Sequence, residues 1–430
     1  MPTAGASASP VLHERPIAAD DQTTRMSTFA PLKDRDFRLY FTGEVLSQSG
    51  TGLHIVALGW YLLARTGSAT SVGLVWAIGL GSGIFMLPFA GPLADRYSRR
   101  MLTIGSDVYR LALVAAMAVL AYAGSPPLPA LYALTFLVGL GHSVFWPSVT
   151  ALLQEVIRPD QLTAASGLVE ITWQAGNLTG AALGGPILVR FGLGTAFAID
   201  AGTYAVSALA LLALHHRPAP REGRHESGLR MARAGVAYLR GRPAVAGFGV
   251  ASVIPWVATI SLNVVIVAYV LRDLHLGATA YGLADMTYGA GALTSGVFAA
   301  VLVLRLGEWR AMVAVMVALI ACYAALAGGP AAIGSFYVLL FAAGFCSSAF
   351  RVMTSAYLFK AVPNDMMGRT SSTFLLVSML LQVAVTLSVG PLVNSAGARS
   401  GFVLLAAIVA VGLVVLAVAA AALRRPPKAG

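Results

Sequence analysis

The sequence predicts an all-α membrane protein with twelve transmembrane helices arranged as two repeated halves of six. Of its 430 residues, 57% are hydrophobic and only 11% are charged, and the mean hydropathy is +0.77. Soluble domains carry roughly 25% charged residues, so this chain has more apolar surface than a water-soluble fold can bury. From about Phe37 onward, apolar runs of roughly 18 to 27 residues alternate with short polar breaks, and each run is long enough to cross a hydrocarbon layer of about 30 Å.

The apolar runs divide the chain into helices and the regions around them. The predicted helices of the first half span 38–63, 70–93, 101–123, 129–153, 163–189 and 195–214, and those of the second half span 244–270, 278–304, 311–328, 332–358, 367–393 and 400–422. We therefore expect a disordered N-terminal tail (1–37), a six-helix bundle (38–214), a central loop (215–243), a second six-helix bundle (244–422) and a C-terminal tail (423–430).

The N-terminal tail is polar. It contains no apolar segment followed by a small-residue cleavage site, so we expect no cleaved signal peptide. Met26 opens the segment MSTFAPLKDRDFRLYF, which reads like a complete start. Residues 1–25 are therefore either a disordered extension or a mis-assigned start.

The positions of the cations predict the orientation of the chain. The net charge is +11, which in a soluble protein would suggest nucleic-acid binding, but here the cations lie in the breaks between apolar runs. Most of them lie on the side of the N terminus, whereas the opposite breaks hold only Arg65, Arg190, Arg272 and Arg399. Because cytoplasmic loops carry the excess of Lys and Arg, both termini should be cytoplasmic, and we expect no nucleic-acid partner.

The two halves resemble each other. Ala69, Thr70, Gly73 and Leu74 recur 209 residues later, and Gly139, Asn177 and Pro186 recur as Gly344, Gln382 and Pro391, 205 residues later. The Arg-rich central loop separates the halves, and its stretch GLRMARAGVAYLRGR has the pattern of an amphipathic helix on the membrane face. Parallel repeats of this kind are a transporter architecture, with the substrate held between the halves near the midplane.

The break after the second predicted helix carries a recognisable motif, GPLADRYSRR, whose defining residues are Gly91, Leu93, Asp95, Arg96, Arg99 and Arg100. It resembles the signature loop of the major facilitator superfamily, G-x-L-A-D-R-x-G-R-R, with Ser98 in place of a glycine. The resemblance implies the major facilitator fold and a gating role for Asp95 and Arg99, which in that family stabilise the outward-facing state. Glu155 is either a partner of these arginines or a solvated acid at a helix end.

The fifth predicted helix carries Gly176, Gly180, Ala181, Gly184 and Gly185. This set resembles the exporter motif G-x-x-x-G-P-x-x-G-G, with alanine in place of the proline. Glycines four residues apart also let two membrane helices approach closely. The motif therefore indicates either an antiporter or helix packing alone.

Several segments, KDRDFRLYFTGEVLSQSG, YLLARTGSATSVGLV and FWPSVTALLQEVIRPDQL, resemble the twelve-helix branch that includes macrolide efflux pumps and siderophore exporters. The resemblance implies a monomer in the bacterial cytoplasmic membrane that exports a drug-like or secondary-metabolite molecule by proton antiport. The chain has no G-x-x-x-x-G-K-[ST] phosphate loop, so an ion gradient is the expected energy source, with no cofactor, no metal and no enzymatic activity. The alternatives are an importer of a nutrient or metal-siderophore complex, and a non-transporting membrane sensor or scaffold.

Ionisable groups within the apolar runs are candidates for coupling or cavity roles, because a charge near the bilayer centre costs about 2.5–3.5 kcal/mol on insertion scales. Glu44 and Gln48 lie one turn apart on the first helix, either as coupling residues or as a structural contact. Glu170, Gln174 and Asn177 form a polar stripe on the fifth helix. A carboxylate buried away from any cation can exchange protons near neutral pH, so Glu170 is the second coupling candidate.

The remaining polar residues in the membrane have mainly structural interpretations. Asp107 and Arg110, at positions i and i+3, are close enough to neutralise each other. Asp285 and Arg351 are either charge partners or cavity residues. We expect water near Asp200, satisfied hydrogen bonds at His54 and His142, and packing roles for Cys322 and Cys346.

Overall fold

The computed structural model describes residues 30–158, 161–215 and 228–423, and these residues are almost entirely helical. The helices, in chain order, are α1 (Arg35–Thr66), α2 (Ala69–Arg96), α3 (Arg99–Tyr122), α4 (Leu128–Val156), α5 (Leu162–Leu212), α6 (Gly228–Arg240), α7 (Pro243–Ala268), α8 (Ala278–Leu306), α9 (Glu308–Gly328), α10 (Ile333–Ala361), α11 (Asn364–Ala396) and α12 (Ala398–Leu423). Ala30–Lys33 forms a short 3-10 helix, and Tyr269–Asp273 continues α7 as a π-helical turn. The two predicted tails lie mostly outside the described residues.

Helix α1 shows how local sequence determines where a helix begins and ends. Asp34 caps its start, because one carboxylate oxygen accepts hydrogen bonds from the backbone amides of Asp36 and Phe37 at 2.8 and 3.2 Å. Such caps satisfy amides that have no partner within the helix. The helix stops at Gly67, whose φ of 63° lies in the left-handed region that favours glycine.

Helix α5 is 51 residues long, more than twice what a hydrocarbon core of about 30 Å requires at roughly 1.5 Å per residue. It is not continuous, because Gly192 adopts φ 80° and ψ 173°, outside the helical region. Gly192 falls in the gap between the predicted helices 163–189 and 195–214. The structure therefore divides α5 where the sequence predicts the boundary between two helices.

Nine helices within the described ranges are long and apolar enough to cross a membrane, and a bent pair, Ala278–Gly296 and Phe298–Leu306, brings the number to ten. The two segments of α5 are counted together as one of these nine helices. Helix α1 is not one of the nine, and it carries Glu44, Gln48 and His54. The predicted total of twelve membrane crossings stays a prediction.

The helices pack as two groups. In the first, α1 lies along α5, and α3 packs on α4 and α5; in the second, α7 packs on α10, α11 and α12, and α8 on α10. The groups meet where α2 contacts α11 and α5 contacts α8. Gly73 of α2 faces the Thr386 carbonyl of α11, and Gly282 of α8 faces the Ala181 carbonyl of α5. Gly73 and Gly282 belong to the predicted repeat, and such reciprocal packing is what a duplicated chain predicts.

The predicted amphipathic helix of the central loop is present as α6, but it packs on protein. Its Ala232 and Leu239 are buried, and the Thr373 hydroxyl of α11 donates a hydrogen bond to the Ala232 carbonyl at 2.9 Å. Helix α11 therefore covers part of the apolar side of α6, and the position of α6 on the membrane face stays a prediction. The neighbouring loop residues 216–227 lie outside the described ranges.

The glycine motif of α5 is a helix-packing surface. A Cβ atom at Gly180 would overlap the Ser49 carbonyl oxygen of α1, one at Gly184 would lie 2.9 Å from the Val56 Cβ, and one at Gly176 would overlap the Gln48 side chain. Gly185 instead faces α8, where a Cβ would lie 2.6 Å from the Thr279 Cα. These contacts explain why glycine occupies these positions, because the neighbouring helices approach too closely for a Cβ atom. A further role of the motif stays a prediction.

We expect Gly180→Val to destabilise the protein, because the new side chain would force α1 and α5 apart. Overpacking of this kind costs about 1–3 kcal/mol. The same substitution at Gly167, in the same helix but with nothing within 4 Å of its Cβ position, is the matched control. Thermal denaturation in detergent should give a lower midpoint for Gly180→Val than for Gly167→Val, and equal midpoints would contradict this account of the motif.

Candidate functional site

An ion pair joins the two halves of the molecule. The Nη2 atom of Arg351 on α10 donates a hydrogen bond to the Oε1 atom of Glu170 on α5, at 3.1 Å. The side chains are 39% and 54% exposed. Glu170 lies about two turns after the start of α5, and Arg351 lies about three turns before the end of α10. Their side chains are exposed where the two halves meet.

One tryptophan contacts the arginine of this ion pair, and a pair of packed tryptophans includes a residue one helical turn from the glutamate. The Arg351 guanidinium lies 5.5 Å from the ring centre of Trp256 on α7, and Trp173, one turn along from Glu170, packs on Trp146 of α4 with ring centres 5.6 Å apart. Arginine over an aromatic face is an attractive cation–π contact. No sequence motif marks Trp146 or Trp256, although the Pro255-Trp256 pair inside an apolar run is a local signal.

The structure corrects the prediction for Glu170. The sequence analysis expected a buried carboxylate without a cation, whereas Glu170 is exposed and paired with Arg351. The polar stripe itself is present, because the Gln174 amide donates to Glu170 at 3.3 Å. Asn177 turns back to its own helix and donates to the Trp173 carbonyl at 2.8 Å.

Asp285 is not the ion-pair partner of Arg351 in this structure. Its side chain is half-buried on α8, and the ion pair of Arg351 is with Glu170. The alternative that Asp285 and Arg351 are charge partners is therefore wrong, because α5 of the other half supplies the carboxylate. A cavity role for Asp285 stays a prediction.

Glu44 and Gln48 lie inside the first half. Their exposed fractions are 1% and 2%, and the Gln48 amide donates to the Glu44 Oε1 atom at 2.6 Å. Close packing of α1 on Gly176 of α5 covers Gln48. Of the two alternatives that the sequence left open, the structural contact between Glu44 and Gln48 is present, and a coupling role stays a prediction.

The predicted pair of Asp107 and Arg110 is confirmed. Arg110 donates to the Asp107 carboxylate, and the two residues are 1% and 0% exposed. The Arg110 guanidinium lies between the rings of Phe145 and Tyr204, 4.3 and 4.4 Å from their centres. Glu44 is within electrostatic reach of Arg110, so one buried cation serves two acids from two helices.

Asp200 has a protein partner in place of the expected water. It is 1% exposed, and its Oδ2 atom lies 2.8 Å from the His54 Nδ1 atom of α1. The prediction that His54 has a satisfied hydrogen bond is confirmed by this contact. His142 lies half-buried on α4, within reach of the charge on Arg110, and Cys322 and Cys346 are buried and unpaired with each other.

The signature loop connects α2 and α3. The Arg99 Nη1 atom lies 2.8 Å from the Glu155 Oε1 atom of α4, so the predicted partnership of Arg99 with Glu155 is present. Arg100 donates to the Leu212 carbonyl at 2.7 Å, and Arg96 lies over Tyr97. The surroundings of Gly91 and the side chain of Asp95 lie outside what the structure describes.

A second polar contact between the halves was not predicted from the sequence. It lies at the end of the bundle that holds the α1–α2 turn. It consists of Arg272 and Asn394 against residues 67–70. Its members are common polar residues at helix ends, and no motif marks them. Among the residues that the structure describes, no three His, Cys, Asp or Glu side chains are grouped so that they would hold a metal ion.

The chain is similar in sequence to a known family and to several curated proteins. The sequence model of a family described as transmembrane secretion effectors matches residues 26–428. The enterobactin exporter EntS from Citrobacter koseri is 30% identical over 275 residues, which are 60% of this chain and 63% of that protein. The multidrug efflux pump Tap from Mycolicibacterium fortuitum is 27% identical over 173 residues, 39% of this chain and 42% of that protein.

The lysophospholipid transporter LplT from Pectobacterium carotovorum is 30% identical over 149 residues, 35% of this chain and 34% of that protein. The chain thus matches between 34% and 63% of the lengths of these three curated relatives.

Solved structures show the same fold. The nucleoside transporter NupG aligns with a TM-score of 0.73 at 13% identity, over 91% of this chain and 100% of that chain. A bacterial homologue of the iron transporter ferroportin aligns with a TM-score of 0.74 in its inward-facing state, over 90% of this chain and 98% of that chain. In its outward-facing state the TM-score is 0.59, over 90% and 99%, and both alignments have 16% identity.

Proposed function

Since the chain belongs to the transmembrane secretion effector family of the major facilitator superfamily, whose members are multi-pass transporters of the cytoplasmic membrane, we propose that it is a secondary active exporter driven by proton antiport. The observation that carries this proposal is the exposed ion pair between Glu170 and Arg351, one residue from each half. A carboxylate that can take up a proton there links protonation to the contact between the halves.

The proposed topology has twelve crossings and two cytoplasmic termini. The crossings are α1 to α4, the two parts of α5 on either side of Gly192, and α7 to α12, while α6 belongs to the cytoplasmic central loop. The excess of cations in the loops on the side of the termini supports this orientation. The two six-helix bundles are then 38–214 and 244–422, in a monomer.

In the proposed cycle, the ion pair of Glu170 and Arg351 forms and breaks as the halves rock. An ion pair as exposed as this one contributes only about 0–1 kcal/mol, so breaking it once per cycle is a small barrier. Proton entry on Glu170 removes the charge that attracts Arg351 and favours separation of the halves. Glu44 is a second candidate for proton uptake, and its opening to water would require α1 to move relative to α5.

The proposed substrate is an amphipathic organic molecule of the antibiotic or siderophore type. Trp146, Trp173 and Trp256 offer aromatic faces beside a guanidinium and the Gln174 amide. Such a surface suits a ligand that carries planar apolar groups together with a few polar ones. The names of two relatives, an enterobactin exporter and a multidrug efflux pump, support the same class.

The signature loop is the proposed cytoplasmic gate. Arg99 and Glu155 hold α3 against α4 at 2.8 Å, and charge-assisted bonds of this kind are strong enough to define one state yet can be exchanged in another. The gating role that the motif's resemblance implies for Asp95 and Arg99 is part of this proposal.

A measurement of the direction of transport tests this function. Inside-out vesicles with an acid lumen should accumulate both ethidium and enterobactin when the chain is present, and a protonophore should abolish accumulation. Loss of either compound from preloaded inside-out vesicles would favour the importer. If neither compound moves in either direction, while a bound partner protein is found at the central loop, the sensor or scaffold interpretation replaces transport.

A further inference from the structure

The turn between α1 and α2, in the first half, is hydrogen-bonded to the end of α11, in the second half. The Asn394 side-chain amide donates to the hydroxyls of Ser68 and Thr70 at 2.9 and 2.8 Å. Its carbonyl oxygen accepts from the Ala69 backbone amide at 2.9 Å. One side chain thereby satisfies three polar groups of the other half.

Arg272, just after α7, reinforces this contact. Its Nη2 atom donates to the Gly67 carbonyl at 2.6 Å and to the Asn394 Oδ1 atom at 2.8 Å. Hydrogen bonds to a charged donor are stronger than those between neutral groups. We call Asn394, Arg272 and the turn 67–70 the Asn394 latch.

The Asn394 latch lies at one of two equivalent contacts between the halves. A Cβ atom at Gly390 would lie 2.6 Å from the Thr70 Cα, and a Cβ atom at Gly185 would lie 2.6 Å from the Thr279 Cα. Gly185 and Gly390 differ by 205 residues, and Thr70 and Thr279 by 209, the offsets of the sequence repeat. The α2–α11 and α5–α8 contacts are therefore copies of each other.

The polar part of the contact is present in one copy only. By the same offsets, the counterparts of Asn394 and Ser68 are Val189 and Gly277, neither of which has a side chain that forms hydrogen bonds. Val189 is 70% exposed. Close backbone packing is shared by both contacts, whereas the Asn394 latch stabilises the α2–α11 contact alone.

We infer that the Asn394 latch holds the outer side of the transporter closed, and that Asn394 and Arg272 are positioning residues that set the balance between inward-open and outward-open states. The assignment of this side of the molecule as the outer side rests on the proposed function and its topology. The better superposition on the inward-facing ferroportin homologue, with a TM-score of 0.74 against 0.59 for the outward-facing one, supports a closed outer side. Opening must break the four hydrogen bonds given above that join Asn394 and Arg272 to residues 67–70. Among the described residues, no side-chain bond of this kind joins α5 to α8.

The test measures a distance across the outer side. Spin labels at Ser125→Cys and Ala331→Cys, on exposed loops of the two halves, are introduced in a background with Cys322→Ala and Cys346→Ala. Asn394→Leu keeps the side-chain size and removes every hydrogen bond of the amide. We expect the ratio of long to short distances to rise at least about tenfold, since the loss of one hydrogen bond changes an equilibrium by roughly two- to tenfold and Asn394→Leu removes three bonds between the halves. Val189→Ala, at the equivalent position, should leave the distribution unchanged.

A second route removes two of these bonds from the other half. Ser68→Ala with Thr70→Val should shift the distances in the same direction as Asn394→Leu, and it keeps the inference testable if Asn394→Leu does not fold. An unchanged distribution in a folded variant, or an equal shift in Val189→Ala, would overturn the inference. Labelling of Ala331→Cys by a membrane-impermeant maleimide in intact cells is expected, and labelling only in inside-out vesicles would overturn the outer assignment.

The distances need neither cargo nor a proton gradient, so the latch and the proposed function fail separately. A shift in distances without any gradient-driven flux would support the role of the Asn394 latch and contradict the proposed export function. Gradient-driven flux with unchanged distances would support the proposed export function and contradict the role of the Asn394 latch.

Discussion

Arg110→Met should lower the free energy of unfolding by about 3–5 kcal/mol, the range measured when one partner of a buried ion pair is removed. The guanidinium is 1% exposed, bonds Asp107, and lies between two aromatic rings. Its loss leaves Asp107 and Glu44 buried without their shared cation. Denaturation of the purified protein in mixed micelles measures the change.

Two variants separate this cause from general damage. Lys360→Met breaks the exposed pair with Glu308, whose side chains are 71% and 37% exposed, and should cost only about 0–1 kcal/mol. Arg110→Met combined with Asp107→Leu removes the charge together with one of its partners and should recover part of the loss. A double variant less stable than Arg110→Met would contradict the assignment of Asp107 and Arg110 as a compensating pair.

Glu170→Gln is expected to reduce gradient-driven export at least about tenfold, which corresponds to about 1.4 kcal/mol. The amide keeps the size of the side chain and cannot carry a proton, so it removes coupling while leaving the surface intact. Exchange of labelled for unlabelled cargo, which needs no gradient, should persist. Initial rates in vesicles with and without an acid lumen measure both.

Glu308→Gln is the matched control, because it neutralises a carboxylate that pairs with Lys360 away from the interface of the halves. Arg351→Gln should impair both export and exchange, since it removes the cation that faces Glu170 and Trp256. Normal gradient-driven export by Glu170→Gln would move the coupling role to Glu44, whose Gln variant is then the next to assay. Normal export by both variants would end the assignment of coupling to either residue.

Local features of the structure were predictable from sequence. The gap between two predicted helices contains Gly192, where α5 breaks, because an apolar run followed by glycine is a local signal. The pair of Asp107 and Arg110 was also predictable, because residues three apart on a helix face the same side. The partnership of Arg99 with Glu155 was one of two alternatives that the sequence left open, and the structure contains it.

Contacts between distant helices were not predictable. Glu170 meets Arg351 across 181 residues, and His54 meets Asp200 across 146, so neither helix alone shows that a carboxylate has a partner. The same limit explains why Asp200 was expected near water and why Asn394 was missed. Helical periodicity says which residues share a face, and only the packing of two halves says what that face meets.

The most direct test of the central claim records cargo and protons in the same vesicles. Inside-out vesicles with an acid lumen that contains a pH-sensitive dye should lose protons from the lumen as ethidium enters, and Glu170→Gln vesicles should show neither flux above background. Ethidium uptake at an unchanged rate after the proton gradient is collapsed, with no cargo-dependent change in the dye signal, would contradict proton-driven export by this chain.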